Sequence, residues 1–148
     1  AGRAAPGEPA PPPPPPREPG QLINVKIDVT ISDQRGANPP VKKVVSMTVA
    51  DREHGMIRSE TFVPGVGTVP LHVDAGPTIA PNGKLRVQLM LQYDLVEPGQ
   101  ANESAKPIKI RESLGLVLDS GKSLVVAQSA DPLTDRSVVL EVRATILK

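Results

Sequence analysis

The sequence predicts an all-β protein, an antiparallel β-sandwich of about eight strands preceded by an extended proline-rich arm. Three observations carry that expectation. Apolar and polar residues alternate with a period of two in three long stretches. Clusters of Gly, Pro, Asn and Asp punctuate the chain between such stretches, and no segment keeps an apolar period of 3.6 residues. Nine of the 18 prolines fall in the first 20 residues, so the arm and the body divide at that point.

The arm, residues 1–20, contains Pro6, Pro9, the unbroken run Pro11, Pro12, Pro13, Pro14, Pro15 and Pro16, and Pro19. Proline has no backbone N–H and holds the residue before it extended, which excludes a helix or an inner strand here. As polyproline II, rising about 3.1 Å per residue, the arm reaches about 60 Å. A compact domain made from residues 21–148 is only about 36 Å across. A segment longer than its own domain is wide is suited to lie on a neighbouring copy, with Pro11 to Pro16 as the assembly segment. Proline-recognising grooves are commonly lined by aromatics. The chain has only Phe62 and Tyr93, so a receiving groove would have to be largely aliphatic.

In the body, Ile23, Val25, Ile27, Val29 and Ile31 alternate with Asn24, Lys26, Asp28 and Thr30, the pattern of a strand with one buried face. Strands at 41–50, 56–63 and 68–75 follow, bounded by Asn38-Pro39-Pro40 and Pro64-Gly65-Val66-Gly67. Leu85, Val87, Leu89, Leu91 and Tyr93 give the second clear alternation, after the Asn82-Gly83 turn signal. Strands at 108–118 and 122–128 flank Asp119-Ser120-Gly121, and Val138, Leu140, Val142, Ala144 and Ile146 complete the set. The halves resemble each other: strand, loop, strand, Asp-ended turn, strand, with Asp51 opposite Asp119. Met90, Val117 and Val139 interrupt polar faces, and would form a contact patch if the fold brings them together.

Composition excludes several kinds of chemistry. Without cysteine there is no disulfide, thiolate nucleophile or Cys-ligated metal. Seventeen Lys and Arg against 16 Asp and Glu leave no electrostatic footprint for nucleic acid. No apolar run approaches the roughly 20 residues of a membrane helix. His54 and His72 stand apart with no acidic cluster, so neither a metal nor another cofactor is expected. The sequence also lacks a Gly-x-Ser-x-Gly elbow and a glycine loop opening a helix. No catalytic residues are assigned, and a non-enzymatic protein is expected.

Residues 73–127 resemble the C-terminal β domain of bacterial secretins. The resemblance runs through Val73-Asp-Ala-Gly-Pro77-Thr-Ile79-Ala-Pro-Asn82-Gly83 and the alternating Leu85, Val87 and Leu89. It continues in Leu116-Val-Leu118-Asp119-Ser-Gly121 and Leu124-Val-Val126. The family pattern then has a Gly-Gly pair where this chain has Ala127-Gln-Ser-Ala130, and the charged strand faces would be costly against lipid. The resemblance implies an exported bacterial β module that pairs with copies of itself, without implying a pore. A small residue at the start, Ala1, followed by Gly2, agrees with export.

Together these readings predict an exported structural subunit that self-associates into an extracellular filament or surface assembly, with the arm on a neighbouring copy. The alternative is a monomeric periplasmic or cell-envelope binding module whose arm is a spacer.

Overall fold

A computed structural model describes Gly7 and residues 9–13, 19–95, 108–132 and 135–148. Eight strands follow in order: β1 (Asn24–Arg35), β2 (Val41–Ala50), β3 (Gly55–Val63), β4 (Gly67–Ile79), β5 (Leu85–Leu95), β6 (Ile108–Leu118), β7 (Ser123–Ala130) and β8 (Arg136–Leu147). They form two four-stranded sheets of order β2-β1-β8-β7 and β3-β4-β5-β6, antiparallel throughout. The predicted all-β sandwich is therefore the observed fold. Strands adjacent in sequence pair everywhere except β2 with β3 and β6 with β7, where the chain crosses from one sheet to the other. Those two breaks leave β2, β3, β6 and β7 as sheet edges.

The core follows from the alternation. Val25, Ile27, Val29 and Ile31 of β1 and Val138, Leu140, Val142 and Ala144 of β8 are buried from one sheet. Leu85, Val87, Leu89, Leu91 and Tyr93 of β5, with Val73 and Ala75 of β4, are buried from the other. Each fully buried Val, Leu or Ile contributes about 1.5–3 kcal/mol by leaving water, so the four central strands carry most of the stability. β4 runs further than the predicted 68–75 because Gly76 and Pro77, which read as turn residues, continue the ladder to β5.

Exchanging the halves (β1 for β5, β2 for β6, β3 for β7, β4 for β8) turns one sheet order into the other. The correspondence extends to individual bonds at the two corners between sheets. Asp51 Oδ1 accepts the Ile79 N–H at 2.7 Å, and Ser120 Oγ accepts the Ile146 N–H at 2.9 Å. The Arg52 N–H donates to Pro77 O at 2.8 Å, as Gly121 donates to Ala144 O at 2.9 Å. Arg52 and Gly121 both lie in the left-handed region, at φ 63° and 81°. Asp51 thus corresponds to Ser120. Asp119, paired with Asp51 on sequence, corresponds to Ala50, one residue out of step, because the strand registers set the match rather than the identity of the turn acid.

The sandwich has two unlike ends. One carries the two corners and the point where the arm enters β1. The other carries the connections after β1 and β3 and the ends of β5 and β7.

Candidate functional site

At the corner end the arm is fastened to the body. Asp51 directly follows β2 and is only 2% exposed, held among the strand ends. Its carboxylate accepts the Gln21 N–H through Oδ2 at 2.8 Å and the Ile79 N–H through Oδ1. Its own N–H donates to Ile23 O at 2.9 Å. One carboxylate therefore joins the base of the arm, the edge of one sheet and the end of β4 in the other. Gly20 is required here, since a Cβ at that position would sit 1.9 Å from the Asp51 carbonyl oxygen. Beyond this base, Pro19 and Pro11, Pro12 and Pro13 are exposed. Pro14, Pro15 and Pro16 lie outside the described residues.

Met90 and Val117 share the outer face of the β3-β4-β5-β6 sheet, on neighbouring strands, at 57% and 59% exposure. Val139 does not join them. It lies on β8, in the other sheet, on the face turned away from the core. Alternation gives the side of a strand a residue faces, but sheet membership depends on where the chain crosses over.

The same outer face carries a polar depression of about 350 Å³ beside Met90. Arg58 forks onto the Asp74 carboxylate, whose proton affinity is lowered by that hydrogen bond and then by the guanidinium charge. His72 Nε2 lies 3.5 Å from Glu60, an ion pair only when the imidazole is protonated. His54 sits in the β2–β3 corner over Gly76, where a side chain would collide with its ring. Both histidines lie within charge range of Asp74, whose proton affinity each lowers slightly further. Among the described residues, no three His, Asp or Glu side chains are grouped to hold a metal ion.

A wide opening among the described residues is one the sequence did not announce. At the end opposite the arm base, the edges β2 and β3 part, leaving a cleft of about 750 Å³ between the sheets. Val41 and Lys43 of β2, Thr61 and Val63 of β3, and Leu71 and Tyr93 are among the residues that line it. Lys43 Nζ stands 5.4 Å from the centroid of the Tyr93 ring. The acidic groups in the walls are already engaged. Asp33 accepts two bonds from Arg136, at 2.9 and 2.7 Å, and Asp94 accepts one from Arg111 at 2.9 Å. The Arg136 hydrogen bonds hold the Asp33 carboxyl below its ordinary range against the opposing effect of burial. Arg35 carries a buried Nε–H with no hydrogen-bond partner. The signal available in sequence was faint: the inward positions of β3 at 59 and 61 are Ser and Thr, where a core-facing strand would carry apolar residues.

No family model and no curated protein matches this chain. Solved structures do match its fold. A pilotin–secretin complex from ETEC, AspS–GspD, superposes with a TM-score of 0.63 at 10% identity, covering 86% of this chain and 50% of that one. The type IV competence pilus secretin PilQ of V. cholerae gives a TM-score of 0.54 at 10% identity over 86% of this chain and 61% of that one. The type II secretin GspD of enteropathogenic Escherichia coli gives 0.53 at 12% identity, over 85% and 67%. The resemblance read from residues 73–127 thus extends to the fold of most of the chain. At these identities the likeness is one of fold, and the chain spans half the length of the first of these proteins.

Proposed function

We propose that this chain is a non-enzymatic structural subunit of a bacterial cell-envelope or extracellular assembly, built by self-association into a filament or surface array. Residues 1–20 act as an arm that packs on a neighbouring copy, and residues 21–148 form the domain that receives it. The observation that carries this reading is the arm's placement. Its base is locked to Asp51 at one end of the sandwich, while Pro11, Pro12 and Pro13 stand exposed. A segment with no core of its own gains order from a partner surface, and identical subunits linked head to tail by such a segment form rings or filaments. Similarity to the fold of secretin domains, one of them in a type II secretion system outer membrane complex, supports an envelope setting.

Sedimentation velocity and electron microscopy test the proposal. The full chain is expected to associate in a concentration-dependent way, and removal of residues 1–20 to leave a folded monomer. A full chain that stays monomeric at high concentration would overturn it. The inter-sheet cleft favours a second reading, a monomeric envelope binding module with the arm as spacer, which predicts that monomer.

A further inference from the structure

From the cleft and the arm together, we infer that the cleft between β2 and β3 is the receptor for the proline run of a second copy. This rests on the self-association proposed above and names its site.

The opening is particular to one half of the molecule. At the position corresponding to Val41 under exchange of the halves stands Ile110. Val41 is 54% exposed and Ile110 only 7%. Lys43 corresponds to Glu112, which accepts a hydrogen bond from Ser129 at 3.3 Å and ties β6 to β7. The bulge between Val125 and Ala127 interrupts the β7 ladder on that side. The space remaining there is about 10 Å³, against about 750 Å³ between β2 and β3. Two halves of one design therefore differ in being closed or open, and the open one lies at the end away from the arm base.

The chemistry of the walls selects the occupant. Proline offers only carbonyl acceptors and an apolar ring, with no backbone donor. In the cleft the acceptors Asp33 and Asp94 are bound to arginines, while the Lys43 ammonium and the Thr61 hydroxyl remain to meet carbonyls. Val63 and Leu71 supply an aliphatic surface, and Tyr93 an aromatic one. Because β2 and β3 part here, the space between them can take a polyproline helix, which needs no ladder bonds.

Geometry makes that occupant another copy's arm. The ten residues of β2 separate the arm base from the cleft by about 30 Å. Pro16 to Pro11 lie four to nine residues before Gly20, reaching about 12–28 Å as polyproline II. Even folded straight back along its own domain, only the first prolines of the run would touch the cleft. A neighbour placed end to end presents the cleft directly in the arm's path.

The absence of cysteine allows a clean test. The full chain carrying Pro12→Cys and Thr61→Cys is oxidised and run without reductant, beside Pro12→Cys with Ser113→Cys on the outer face. A ladder of covalent oligomers at least about tenfold stronger than the control is expected, because docking raises the local thiol concentration. Pro12→Cys with Ser59→Cys should give the same ladder. A monomeric product closed on itself would show the arm in its own cleft and overturn the inference. So would an internal bridge between Ala101→Cys and Thr61→Cys, which would place the chain's own 96–107 segment there. No ladder from a chain that still associates in sedimentation would overturn the cleft alone. A chain monomeric in sedimentation would overturn the self-association beneath it.

Discussion

Asp51 ties the chain at Gln21 to the sandwich, and removing its carboxylate should release that tie. Asp51→Ala abolishes two charge-assisted bonds and leaves the N–H groups of Gln21 and Ile79, both at part-buried sites, without their acceptor. A loss of about 3 kcal/mol is expected in urea unfolding. Hydrogen exchange at Ile79 should quicken with it, and a variant within about 0.5 kcal/mol of wild type would refute the role. Asp33 and Arg136 form the second buried polar contact, with bidentate geometry at the cleft wall. Arg136→Met leaves the buried Asp33 carboxylate with only the longer Arg35 contact at 3.7 Å and should cost about 3 kcal/mol, the low end for breaking a buried pair. The sign with pH follows from the lowered folded-state pKa of Asp33. Its contribution is fully present above the unfolded carboxylate value of about 4 and is lost as pH falls through the folded one. The stability gap between wild type and Asp33→Asn should therefore close on acidification below about pH 4. A gap unchanged between neutral and strongly acidic solution would assign the stability elsewhere.

At the level of elements, the two corners obey one rule with different residues. Gly121 holds φ 81° where the matching position is Arg52, so Gly121→Ala should cost about 1 kcal/mol in thermal unfolding. Gly20→Ala meets the Asp51 carbonyl and should cost about 1–3 kcal/mol unless the arm base detaches, which loss of protection at the Gln21 amide would report. These elements differ in how far their sequence reveals them. β1, β5 and β8 are legible because one face of each is buried along nearly its whole length, forcing strict alternation. β3 is legible only as a strand, since Ser59 and Thr61 point into the cleft instead of the core and the alternation fades. The cleft itself was illegible. Val41 and Ile110 are both β-branched residues at strand starts, and only the spacing between sheets exposes one and buries the other. Met90, Val117 and Val139 show the same limit: each faces outward as alternation requires, yet the crossover after β6 puts the third in the other sheet.

For the whole molecule, the choice is between assembly through sheet edges and assembly through the arm. Four edge strands invite pairing with another chain, because an exposed edge presents unpaired N–H and C=O groups. Each edge here carries something that discourages it. β2 carries Lys42 and Lys43, β3 carries Arg58 and Glu60, β6 carries Lys109 and Arg111, and β7 is broken by its bulge. Charges and bulges at edges oppose strand addition, since a second strand would bury them or lose register. The arm has no such guard. Its prolines cannot donate to a ladder, so they add no sticky edge. The expected outcome is that deleting residues 1–20 abolishes association although all four edges remain. Conversely, Arg58→Thr with Glu60→Thr should create association that survives the deletion, detectable as slower exchange of β3 amides with rising concentration. If the deleted chain with its natural edges still associates and its β3 or β6 amides become protected, the edges and not the arm build the assembly.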